Sequence, residues 1–228
     1  MTTTTKQALI KKTSKQTLGE EIANAVSHGI MAIFGIVALI LLLIKSNTTI
    51  EVIAAIIFGM GIILLYTMST IYHALRENKA KRLFKRFDHL SIYILIGGTF
   101  APALLLLPGL REPLFGIEGF LSQGLTLFII QWILITIGVV FKSIWIKKFA
   151  KLHVFIYLAM GWSALIFIGS LISFSKGAFW YVLLGGVAYS IGVIFYALPK
   201  IKYFHFVWHL FTALGTILQF IAIYGFIY

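Results

Sequence analysis

Residues 119–173 read GFLSQGLTLFIIQWILITIGVVFKSIWIKKFAKLHVFIYLAMGWSALIFIGSLIS. The stretch is apolar almost throughout and too long for one membrane crossing, which takes roughly 20 residues. Lys142, Lys147, Lys148 and Lys151 interrupt it, and four ammonium groups cannot sit together in hydrocarbon. Divided at those lysines, it predicts two spanning helices, 119–141 and 152–173. The same reading carried outward gives further apolar runs at 24–44, 51–74, 89–107, 179–198 and 205–227. The expected fold is all-α: a polytopic membrane protein of seven transmembrane helices.

Composition agrees. Of 228 residues, 60% are apolar and 11% charged, and the mean hydropathy of +0.99 lies far outside the range of soluble domains. The spans leave room for a polar N-terminal segment, 1–20, and a seven-helix domain, 21–228, and for no separate soluble domain. With no cysteine, disulfides, thiolate nucleophiles and thiolate metal ligands are excluded. The net charge of +12 points to basic loops held against anionic lipid in a cell membrane, with membrane lipids and not nucleic acid as partners. The first 23 residues lack the pattern of a cleaved secretory signal, so the first apolar run is expected to persist as a helix. Residues 6–20 read either as a short amphipathic helix on the membrane or as a polar tail.

Basic residues in short loops set the orientation. With the N-terminus inside, the cytoplasmic side receives Lys6, Lys11, Lys12 and Lys15, then Arg76, Lys79, Lys81, Arg82, Lys85 and Arg86 in a basic loop at 75–88. It also receives Lys142, Lys147, Lys148 and Lys151, then Lys200 and Lys202. Only Lys45, Arg111 and Lys176 fall on the other side. This asymmetry predicts the N-terminus in the cytoplasm and the C-terminus outside.

That topology brings scattered polar residues to one depth. The second span ends on the inside at His73, the seventh begins there with His205 and His209, Asp88 opens the third, and His28 lies one turn into the first. His205 and His209, four residues apart, project from one helix face and can bind one ion. Ser69 sits one turn deeper than His73 on its face, and Tyr66 continues that stripe. Glu21, Asn24 and His28 form a second polar stripe, which reads either as interhelical hydrogen bonding or as support for the ligands from behind.

Three imidazoles and an open fourth position describe a catalytic zinc site, with Zn2+ on His73, His205 and His209. Asp88 is then the candidate general base, and Ser69 a hydrogen-bond donor to water or to a developing oxyanion. A single histidine near a helix end is more often paired with a neighbour, and His89 and His153 are read in that way. Trp145, Trp162, Trp180 and Tyr181 read as interfacial anchors, and Gly97, Gly98, Gly185 and Gly186 as close helix contacts.

The segments Glu21-Ile-Ala-Asn24-Ala-Val-Ser27-His28-Gly29, Ser69-Thr-Ile-Tyr-His73, Asp88-His89 leading to Gly98-Thr99-Phe100-Ala101-Pro102, and His205-Phe-Val-Trp208-His209 together resemble the hemolysin III family. That family belongs with the progestin and adiponectin receptors, and the resemblance runs from about Leu18 to the C-terminus. It implies seven helices, a cytoplasmic N-terminus and zinc on the three histidines beside Ser69 and Asp88. The wider superfamily includes alkaline ceramidases, so the resemblance implies a zinc-dependent hydrolase of lipid amide or ester bonds. Alternatives are a non-catalytic sensor or regulator of lipid homeostasis and membrane fluidity, and, from the family name alone, a cytolysin (haemolysin). One departure is Gln219, where family members often carry a further histidine. It lies about 15 Å along the helix from His209, too far to reach the same ion.

Overall fold

The computed structural model describes residues 16–145 and 149–228. Among them are seven helices long and apolar enough to cross a membrane, which we label α1 (Leu18–Lys45), α2 (Thr49–Ala74), α3 (Lys79–Leu106), α4 (Gln123–Ile144), α5 (Lys151–Phe174), α6 (Lys176–Tyr196) and α7 (Phe204–Ile227). The chain is a multi-pass integral membrane protein. In hydrocarbon the backbone must satisfy its own polar groups, and a helix does so within one segment. The outer faces carry exposed Ile22, Val26, Ile30, Ile33 and Ile133, as a lipid-facing surface requires. The sequence expectation for residues 6–20 falls, as far as residue 15, outside the described residues, as do Lys6, Lys11, Lys12, Lys15, Lys147 and Lys148.

Local chemistry sets the helix starts. Thr17 and Glu20 form a capping box on α1, and Thr48 and Glu51 do the same for α2. Asn78, Ser122 and Ser175 cap α3, α4 and α6 through their side chains. Pro102 lies inside α3, and α5 passes through a 3-10 stretch at Ser163–Phe167. Small residues let helices meet closely: a Cβ added to Gly98 on α3 would stand 2.9 Å from the Ile57 carbonyl oxygen on α2.

Three sequence expectations need correction. The basic segment 75–88 is not a loop: α3 begins at Lys79, because Asn78 caps it and lysine and arginine are good helix formers. Asp88 therefore does not open the helix but lies about 13 Å along it from Lys79. Lys142 is not in a loop either. It belongs to the last turn of α4, where a cation complements the helix dipole, and it is buried. Trp162 is no interfacial anchor; it lies within α5 and donates its Nε1–H to Ser190 Oγ at 3.0 Å, tying α5 to α6.

The main core joins α1, α2, α3 and α7 through Met31, Phe58, Ile62, Leu65, Tyr66, Leu95 and Ile223. A second cluster, with Phe100, Leu104, Phe167 and Leu171, closes the end of α3 against α5. Between α3, α5, α6 and α7 the packing opens into a long apolar cavity. On α3 its wall runs from Asp88 to Ala103, about 22 Å along the axis.

Candidate metal centre

The geometry begins where α7 begins. Tyr203, which precedes α7, has φ of 61°, a left-handed conformation that a non-glycine residue adopts only under constraint. Its N–H donates to Glu20 Oε1 at 2.7 Å, while Glu20 Oε2 accepts from the Thr17 backbone N–H at 2.8 Å. One carboxylate thus caps α1 and holds the start of α7 beside it. This sets the depth at which His205 and His209 enter.

At that depth the three expected histidines converge. One nitrogen each from His73, His205 and His209 can be chosen so that all lie within 4.8 Å of one another, and the group could hold a metal ion. His205 Nε2 and His209 Nε2 face each other at 3.2 Å. Two imidazoles bound tetrahedrally to one zinc would place their nitrogens about 3.3 Å apart, given a bond length of roughly 2.0–2.1 Å. A bound zinc ion would draw the three nitrogens closer than that 4.8 Å spread. Its Nδ1 bonds Glu21 Oε2 at 2.7 Å, and its buried Nε2 has no partner.

Behind His73, Glu21 is itself fixed: Lys81 Nζ donates to Glu21 Oε1 at 2.8 Å and to the Leu75 carbonyl at 3.0 Å. A histidine held from its far nitrogen by a carboxylate is the usual support of a metal ligand, because it fixes both ring orientation and tautomer. The sequence offers Glu21 either as interhelical hydrogen bonding or as support behind the ligands, and it does not reveal Lys81. It was read as a loop residue, and nothing in its spacing marked its partner.

The remaining candidates are distributed unevenly. Ser69 is fully buried, and its hydroxyl faces the Asp88 carboxyl beside His73 without reaching hydrogen-bonding geometry. Asp88 is buried and lines the cavity, as does His205, so the apolar cavity reaches the histidine cluster. His28 does not offer a nitrogen to the trio. It stacks on His209 with ring centroids 3.5 Å apart and planes 7° from parallel, and both its nitrogens lack hydrogen bonds. Asn24 turns away, its amide donating to Gln16 Oε1 at 2.9 Å. Tyr66 places its ring edge against His28, and its hydroxyl joins Thr216 at 2.7 Å and, through it, Tyr189. Gln219 donates to the Val182 carbonyl at 3.0 Å and joins α7 to α6.

The haemolysin-III-related family model matches residues 16–220. The chain is 39% identical over 211 residues to the hemolysin-3 homolog of Bacillus subtilis (strain 168), covering 91% of this chain and 94% of that protein. It is 39% identical over 212 residues to hemolysin-3 of Bacillus cereus, covering 91% and 92%. Human monocyte to macrophage differentiation factor is 30% identical over 220 residues, covering 94% and 87%.

Proposed function

The chain belongs to the haemolysin-III-related family, and we propose that it is a zinc-dependent membrane hydrolase of lipid amide or ester bonds. The observation that carries the reading is the junction of two features: a three-histidine cluster with His73 and His209 buried, and a long apolar cavity that ends on His205 and Asp88. When bound, zinc supplies Lewis acidity toward a carbonyl and makes water available as hydroxide near neutral pH. Histidine nitrogens without thiolate or competing ligands suit that ion.

The chain's own residues take the other roles. Asp88 accepts the proton that the attacking water gives up, and its carboxyl is on the cavity wall where a substrate carbonyl would lie. The Ser69 hydroxyl, otherwise unpartnered, donates to the oxyanion that develops on that carbonyl. Glu21 and Lys81 hold His73, and the apolar cavity takes the acyl chain. In this reading the cluster lies at the cytoplasmic end, with the N-terminus inside and the C-terminus outside. A C-terminal fusion reporter that is active only outside the membrane checks the orientation.

The test is zinc quantitation joined to a hydrolysis screen on ceramide-like amides and lipid esters. Wild-type protein is expected to carry about one zinc per chain and to turn over a lipid substrate. Asp88→Ala should keep the metal and lose about 10²–10⁴ of the rate. Zinc-loaded wild-type protein that turns over no substrate on the screen would overturn the catalytic reading. It would leave a regulator of membrane fluidity in its place.

A further inference from the structure

Lys142 takes no part in the histidine cluster or its supports. It sits in the last turn of α4, only 3% exposed, and it lines the cavity with His89 and Asp88 at the same end as His205. A lysine two residues from a helix end ordinarily snorkels, laying its stem on apolar surface and keeping the ammonium in water or among headgroups. Such a residue stays exposed, and Lys142 does not.

Nor does it have a counter-charge. Among the described residues Lys142 makes no hydrogen bond and no ion pair; the ion pairs present are those of Glu21 with His73 and Lys81. The titratable groups near it are His89 on α3 and His153 on α5, with Lys85 also close to His89, and none of these can supply a negative charge. Asp88 shares the cavity wall but faces Ser69 and His73. A lysine buried along a cavity wall without a counter-charge is costly, and membrane proteins keep such residues where they meet a ligand.

We infer that Lys142 is the anion subsite of the cavity and binds the negatively charged headgroup of a single-chain lipid, whose tail lies along the apolar wall toward Ala103 and Phe179. The pairing is charge-assisted, a cation in a site of low dielectric meeting a carboxylate or phosphate. His89 and Tyr157 border the same space; the Tyr157 hydroxyl donates to the His89 carbonyl at 3.0 Å, which fixes that wall. The subsite does not require the metal, since Lys142 belongs to α4 and the three histidines to α2 and α7.

Equilibrium binding of radiolabelled palmitate, a lysophosphatidate of the same chain length, hexadecanol and inorganic phosphate to the full chain in neutral detergent tests this. Wild-type protein should bind palmitate or the lysophosphatidate at least about tenfold more tightly than hexadecanol. Whichever of the two shows the larger preference identifies the headgroup. Lys142→Gln should lower the anionic lipid to the hexadecanol level and leave hexadecanol unchanged, and Lys142→Arg should keep the preference. If Lys142→Gln does not fold, Lys142→Met fills the space without the charge, and the wild-type contrast already decides whether a cation is at work. Equal binding of palmitate, lysophosphatidate and hexadecanol overturns the proposal, as does a preference that survives Lys142→Gln. Inorganic phosphate bound as tightly as the lipids removes the tail from it. A preference abolished by stripping metal while Lys142 is intact assigns the anion to the histidine cluster instead.

Discussion

Two buried histidines in this molecule begin alike and end differently. His73 bonds Glu21 through Nδ1 and leaves Nε2 without a partner; His153 bonds the Tyr93 hydroxyl through Nδ1 at 2.8 Å and also leaves Nε2 without one. Both are almost wholly buried. Around His153, however, stand the rings of Tyr93, Tyr157 and Phe141, whereas His73 stands beside His205 and His209, with ring centroids 5.2 and 5.1 Å away. An orphaned nitrogen is therefore not a site. Convergence with other donors makes one, and so does the partner on the far nitrogen. A carboxylate raises the basicity of a ligand imidazole, while a phenol only pairs with it.

The contrast is sharpened first by removing the rings themselves. His209→Ala should weaken zinc binding by about a thousandfold or more in a competition titration, since one of three ligands is gone, while His153→Ala should leave it unchanged. Equal effects would erase the distinction between the two settings. Next come the partners. Glu21→Gln should cost about 10- to 100-fold in zinc affinity with the stoichiometry intact once zinc is saturating, and Lys81→Met less, because Lys81 acts only through Glu21. Smallest is Tyr93→Phe. It strands the buried His153 Nδ1, so thermal unfolding should show a loss of about 1–3 kcal/mol with zinc affinity unaltered.

Much of this was legible in the sequence, for physical reasons that differ by element. Seven long apolar runs could hardly become anything but helices, since hydrocarbon leaves the backbone no other partner over that length. The spacing of His205 and His209 forces both rings to one face, so that half of the cluster needed no tertiary information. His73 joined them only through topology. What stayed hidden were pairings across elements without a local period: Glu20 with the Tyr203 backbone, Lys81 with Glu21, and His28 stacked on His209. Basic residues misled most. Charge bias assigns lysines to one side of a membrane, yet it does not say whether Lys79 continues a helix or whether Lys142 turns inward.

The central claim is that His73, His205 and His209 hold one zinc ion. X-ray absorption at the zinc edge of the purified protein tests it by counting ligands. Three imidazole nitrogens at about 2.0–2.1 Å with an oxygen donor completing the shell are expected, and that signature should be lost in His73→Ala. A shell dominated by oxygen, or an unchanged spectrum when His73 is replaced, would contradict it.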